Sequence, residues 1–117
     1  MQIYKKLKCV AHAIRFALRD TSFKIGIILC ASGIIIGLIV GIGMTELVLL
    51  VAIACLGWGL EIANTSVETL LDIVHPAYSQ KVEIIKNAFS AVPIFTYTAY
   101  AICWLILVAP TLWVKLI

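Results

Sequence analysis

A run of 14 uncharged residues, Leu47 to Leu60, leads without a break into Glu61-Ile-Ala-Asn-Thr-Ser-Val-Glu68. A helix needs about 20 apolar residues to cross the hydrocarbon core of a bilayer. The run is too short to span alone, so a span here must carry Glu61, Asn64 and Glu68 with it. On a helix these stand at i, i+3 and i+7, within a sector of about 60° at ~100° per residue. Asp72, at i+11, joins the same side. One polar stripe therefore descends a helix whose other positions are apolar (Ile62, Ala63, Val67, Leu70, Leu71). An acidic side chain near a bilayer centre costs about 2.5–3.5 kcal/mol, less towards the interface. Two carboxylates so close also repel each other. The bland reading is a solvated helix end at the headgroups. The sharper one is a polar site at the cytoplasmic edge of a helix bundle, with a cation held between carboxylates.

The remaining sequence supports an all-α membrane protein of one domain. Only 13% of the residues are charged, where a soluble domain carries about a quarter. The mean hydropathy is +1.12. Residues 1–19 carry Ile3, Leu7, Val10, Ile14 and Ala17 at helical spacing, with Lys5, Lys6, Lys8, His12, Arg15 and Arg19 between them. That pattern predicts an amphipathic helix lying in the membrane surface. The basic section is long for a signal peptide, and the apolar run behind it is too long for an h-region. Asp20-Thr21-Ser22 offers N-cap chemistry to the next helix. Spans are expected at 25–44, 47–68 and 88–108, with a turn at Gly43–Glu46 and a loop at His75–Gln80. Gly33, Gly37 and Gly41 predict a close-packing face on the first span. Pro110, Trp113 and Lys115 mark the far interface. The four cysteines have neither metal spacing nor a C-x-x-C pair, so neither a zinc site nor a disulfide framework is indicated. Six Lys/Arg precede the first span and two lie in the loop before the third, while the turn between the first two spans has none. The positive-inside rule then places the amino terminus and the 69–87 loop in the cytoplasm and the carboxyl terminus outside. Carboxylates and Lys86 at one cytoplasmic interface are the ingredients of phosphoryl transfer. Three spans also look too few to wrap the stripe, which predicts a homo-oligomer.

The pattern Glu61-x-x-Asn-Thr-x-x-Glu68-x-x-x-Asp72, with Lys86 eighteen residues after Glu68 and His75-Pro-Ala-Tyr78 between, resembles the small bacterial integral-membrane diacylglycerol kinase and undecaprenol kinase family. The resemblance covers nearly the whole chain, and no GxxxxGK[ST] or soluble-kinase signature competes with it. It implies an ATP- and Mg²⁺-dependent kinase in the bacterial inner membrane, transferring the γ-phosphate to the primary hydroxyl of a membrane lipid. It implies Glu61 as general base, Asn64 as a residue shaping that region and Glu68 as the magnesium ligand. Lys86, Asn87, Asp72 and the Ala77-Tyr78-Ser79 segment would bind ATP, and Arg15 and Ser90 would line the lipid. It also implies a homotrimer with sites shared between protomers; no nucleic-acid partner is expected. Four positions depart from the family pattern. Asn87 replaces the usual Asp after the lysine. A further metal-ligand Glu has no identical match, Asp20 being the nearest carboxylate. Phe89 stands where a small residue is usual, and Ala13 where the surface helix commonly has Gly. These departures motivate a second reading, a catalytically impaired member acting as a membrane interaction protein. A third is a small multidrug-type transporter with an intramembrane Glu, but stacked acidic residues plus Lys86 exceed what one proton-coupled carboxylate needs.

Overall fold

The computed structural model describes residues 2–117 and is all-helical over them. The helices are α1 (Gln2–Ala17), α2 (Thr21–Val40), α3 (Met44–Val74), α4 (Gln80–Leu107) and α5 (Ala109–Leu116). Three of them, α2, α3 and α4, are long and apolar enough to cross a membrane. Helix α3 packs most extensively on α4 and next on α2.

Local chemistry sets the helix ends. The Asp20 carboxylate accepts from Ser22 N at 3.1 Å and caps α2, as its sequence position predicts. At the other end Gly41 adopts φ +83°, a conformation open to glycine at little cost. Its N–H reaches Gly37 O and Leu38 O, and Ile42 N also reaches Gly37 O. The helix therefore stops at Val40, four residues short of the expected 44. The turn is 41–43 rather than 43–46, because Met44 already opens α3. Helix α3 continues past Glu68 to Val74, and α4 begins at Gln80, eight residues before the expected 88. In both cases the helix runs on where its sequence turns polar. Helix α5 was not anticipated; Pro110 sits in its first turn, where a missing N–H costs nothing.

Water does not drive membrane helices together, so close approach and hydrogen bonds must. Gly33 makes room for the rings of Tyr100 and Trp104: a Cβ there would lie 2.6 Å from Tyr100 Oη and 3.2 Å from the indole. Tyr100 Oη then donates to Cys30 O at 2.7 Å, and Trp104 Nε1 to Gly33 O at 3.0 Å. Gly26, seven residues before Gly33, takes Tyr97 in the same way. Gly37 meets Ile42 and Val108. The packing face is thus Gly26, Gly33 and Gly37. Gly41, expected on it, is the cap instead. The buried core of Cys30, Val40, Leu50, Ala54, Tyr100 and Val108 lies beside these contacts.

Candidate functional site

The polar stripe of α3 faces its neighbours, and each level of it meets something different. At 1.5 Å per residue, Glu61 lies about 26 Å along α3 from Met44, Glu68 about 36 Å and Asp72 about 42 Å. A hydrocarbon core about 30 Å thick that begins near Met44 thus ends between Glu61 and Glu68.

The upper level is Glu61 and Asn64, only 6% and 7% exposed. Their burial is achieved by α2 and α4 of the same chain. This corrects, for Glu61 and Asn64, the expectation that three spans would leave the stripe open; Glu68 is half-buried and Asp72 exposed. Glu61 Oε2 and Asn64 Oδ1 are buried without a hydrogen-bond partner among the described residues, as are Tyr97 Oη and Trp58 Nε1. Buried polar atoms left unpaired cost about 1–3 kcal/mol each. Most buried polar groups in folded proteins are paired, so each exception calls for a cause. Glu61 opens onto a groove of about 620 Å³ between α2 and α4. Its walls are apolar side chains (Ile25, Leu29, Ile36, Leu105) and the aromatic rings of Tyr97, Tyr100 and Trp104.

Asp20 and Thr65 close the next level. Thr65 Oγ1 donates to Asp20 Oδ2 at 3.0 Å, tying the α1–α2 junction to α3. Both Asp20 oxygens are therefore engaged, one by the cap and one by this bond. Glu68 is half-buried below, and the single Ser90 hydroxyl proton is shared between its Oε1 at 3.3 Å and Lys86 O at 2.9 Å. Ser90, expected beside the lipid, is thus placed against Glu68. Among the described residues no three His, Cys, Asp or Glu side chains converge on one point.

The lowest level is the mouth of the α3–α4 loop. Lys86 Nζ donates to Asp72 Oδ1, the one ion pair among the described residues. Lys86, Asp72, Ala77, Tyr78 and Ser79 all line a second pocket of about 370 Å³, together with His75, Pro76, Val82 and Glu83. His75 Nδ1 lies 2.9 Å from Ala77 O and shapes the turn. Tyr78 Oη donates to Glu83 Oε2 at 2.6 Å. That bond, with a smaller contribution from burial, holds the phenol above its usual range, so it remains a neutral donor. Asn87 is exposed and outside this pocket. Arg15 is exposed on α1, remote in sequence from all of these contacts. Sequence reasoning missed Thr65, Glu83, His75 and Tyr97. For Tyr97 a signal existed: Tyr97, Tyr100 and Trp104 repeat at i, i+3 and i+7, opposite Gly26 and Gly33 at i and i+7.

The arrangement can seat a long apolar molecule beside a carboxylate, with a polar pocket carrying Lys86, Asp72 and Glu83 further out on the same helix pair. The family model described as prokaryotic diacylglycerol kinase matches residues 8–108. No curated protein and no solved structure matches the chain.

Proposed function

Since the chain belongs to the prokaryotic diacylglycerol kinase family, and so to a family of membrane lipid kinases, we propose that it transfers the γ-phosphate of ATP to the primary hydroxyl of a membrane lipid at the inner leaflet. The observation that carries this reading is the pairing of Glu61, buried and with one oxygen unpartnered, with the apolar groove it opens onto. A lipid tail suits the groove, and a terminal hydroxyl would satisfy the carboxylate.

Glu61 accepts the hydroxyl proton as the lipid oxygen attacks the γ-phosphorus. The new O–P bond forms as the bond from the γ-phosphorus to the bridging oxygen breaks, and ADP leaves with that electron pair. A general base has to stand within hydrogen-bond reach of its proton, and a groove lined by Glu61 can bring the hydroxyl there. Lys86, held in place by Asp72, neutralises phosphate charge from the loop pocket, whose Ala77–Ser79 wall borders the nucleotide. Asp72 thereby supplies the lysine-orienting carboxylate that Asn87 lacks. Asn64 packs beside Glu61 and limits its movement. Glu68 fits Mg²⁺: it is a hard oxygen donor at headgroup depth with one long hydrogen bond. When bound there, that ion offsets the charge building on the phosphates. Asp20, with both oxygens occupied, acts in this reading as a pin for α3. Arg15 lies on a basic helix suited to lipid phosphates.

The distribution of bases supports a multi-pass protein of the bacterial inner membrane with its amino terminus in the cytoplasm. The family resemblance supports a homotrimer; a fully active monomer by mass measurement in detergent would remove it. The test of function is phosphate transfer from Mg-ATP to a panel of lipid alcohols by purified protein in detergent. Transfer is expected, and Glu61→Gln abolishes it while leaving ATP binding intact. Absence of transfer to every lipid, with wild type and Glu61→Gln alike, refutes the assignment in favour of an interaction protein.

A further inference from the structure

The groove that Glu61 lines holds a second polar group with no task in the fold. Tyr97 Oη is buried and unpartnered, and the Tyr97 side chain lines the same groove. The other polar aromatic groups there are already used. Tyr100 donates to Cys30 O and Trp104 to Gly33 O. Ser32 Oγ is likewise taken, by Ile28 O. Glu61 and Tyr97 do not hydrogen-bond each other, although each has an unpartnered oxygen. Tyr97 is also seated by design of the backbone. A Cβ on Gly26 would collide with its Oη, and one on Gly57 would come within 2.9 Å of Cε1. Two helices thus give up side chains to hold this ring where its hydroxyl is dry.

Phenylalanine would fill that seat without an orphaned hydroxyl. The two unspent groups form a matched pair: a carboxylate that accepts and a phenol that donates. A simple long-chain alcohol offers a single oxygen, which Glu61 engages. An acylglycerol offers that hydroxyl and an ester oxygen a few bonds away. We propose that Tyr97 is a specificity-determining residue of this groove, its hydroxyl donating to the ester oxygen beside the free hydroxyl of an acylglycerol and so favouring acylglycerols over plain alcohols, polyprenols included. This rests on the lipid-kinase reading for the identity of the occupant, and the pairing of Tyr97 with the second oxygen goes beyond it.

The test reads binding, so that it does not depend on turnover. Affinities of dioctanoylglycerol and geranylgeraniol are measured by native mass spectrometry on detergent-solubilised wild type and Tyr97→Phe. A hydrogen bond to a dry donor is worth about ten-fold in affinity. Wild type is expected to prefer the diglyceride by about that factor. Tyr97→Phe is expected to lose about ten-fold for the diglyceride and less than about two-fold for the alcohol. The variant keeps the ring against Gly26 and Gly57, and its melting temperature is expected to hold or rise because an unpaired buried hydroxyl is gone. Equal losses for both lipids, no loss for either, or no binding of either by wild type would overturn the proposal. Phosphate transfer measured on the same samples decides the kinase reading separately: lipid binding with the stated selectivity but no transfer would sink that reading and leave the role of Tyr97 standing.

Discussion

Replacing Gly33 by alanine puts the helix-packing account at risk. The added Cβ would stand 2.6 Å from Tyr100 Oη and 3.2 Å from two atoms of the Trp104 ring. Both rings hydrogen-bond α2 carbonyls through the very groups that would be displaced. Hydrogen bonds between membrane helices average about 0.6 kcal/mol each, and overpacking costs about 1–3 kcal/mol. Together these give about 2–4 kcal/mol. Alanine's better helix propensity returns at most about 1 kcal/mol, for a net loss of about 1–3 kcal/mol. Gly59 is the internal control, because a Cβ there meets nothing within 4 Å. Gly59→Ala should be neutral or stabilising by up to about 1 kcal/mol. Reversible unfolding of both variants in mixed micelles, followed by tryptophan fluorescence, gives the comparison directly. If the two alanine variants agree within about 0.5 kcal/mol, the usual error of such comparisons, the Tyr100 and Trp104 contacts with α2 are refuted.

Two further outcomes concern Lys86 and its neighbour Asn87, beside the pocket proposed for the nucleotide. Lys86→Met should raise the KM for ATP at least about ten-fold, since a charged hydrogen bond to phosphate is worth about 1.5–3 kcal/mol. Its stability should change by less than about 1 kcal/mol, because the Asp72–Lys86 pair is solvent-accessible at 66% and 32% exposure; steady-state kinetics beside an unfolding curve separate the two effects, and an unchanged KM refutes the role. Asn87→Asp should leave turnover unchanged or raise it, as Asp72 already orients the lysine; a sharp loss of rate would mean that the site is built around the amide.

Hydropathy marks the membrane, and that is why it located the spans better than the helices. The runs at 25–44, 47–68 and 88–108 lie close to α2, α3 and α4, yet two of those helices extend into polar sequence. Beyond Glu68, helix α3 is held by Ser90 on Glu68 and Lys86 on Asp72, contacts from a chain segment more than a dozen residues away. No local pattern reveals them. The cap at Asp20 was legible because capping is a matter of neighbouring residues. Its bond to Thr65, 45 residues on, was not. Glycine spacing identified close approach on α2 but could not tell a packing glycine from a terminating one. Only the left-handed φ of Gly41 does that. The stripe itself was legible from periodicity, since four residues on one side of a helix stay together whatever surrounds them. What covers it depends on how α2 and α4 pack, and so the burial of Glu61 and Asn64 within one chain could not be foreseen.

The burial of Glu61 also gives the enzyme reading and a purely structural one opposite predictions. A charged side chain kept only for stability usually has its polar atoms satisfied. Glu61 is 6% exposed and leaves Oε2 unpaired, at a cost of about 1–3 kcal/mol. That is a substantial share of the roughly 5–15 kcal/mol that keeps a domain folded. Strain of this kind persists where activity requires it. Glu61→Leu removes the unpaired oxygen and adds apolar contact with the groove wall. It should raise the unfolding free energy by about 1–3 kcal/mol while abolishing phosphate transfer. A structural interaction protein predicts the reverse, since a residue placed to support the bundle weakens it when lost. Destabilisation of Glu61→Leu by more than about 1 kcal/mol would mean that the carboxylate has a partner in the fold, and the argument from an unsatisfied base would fail with it.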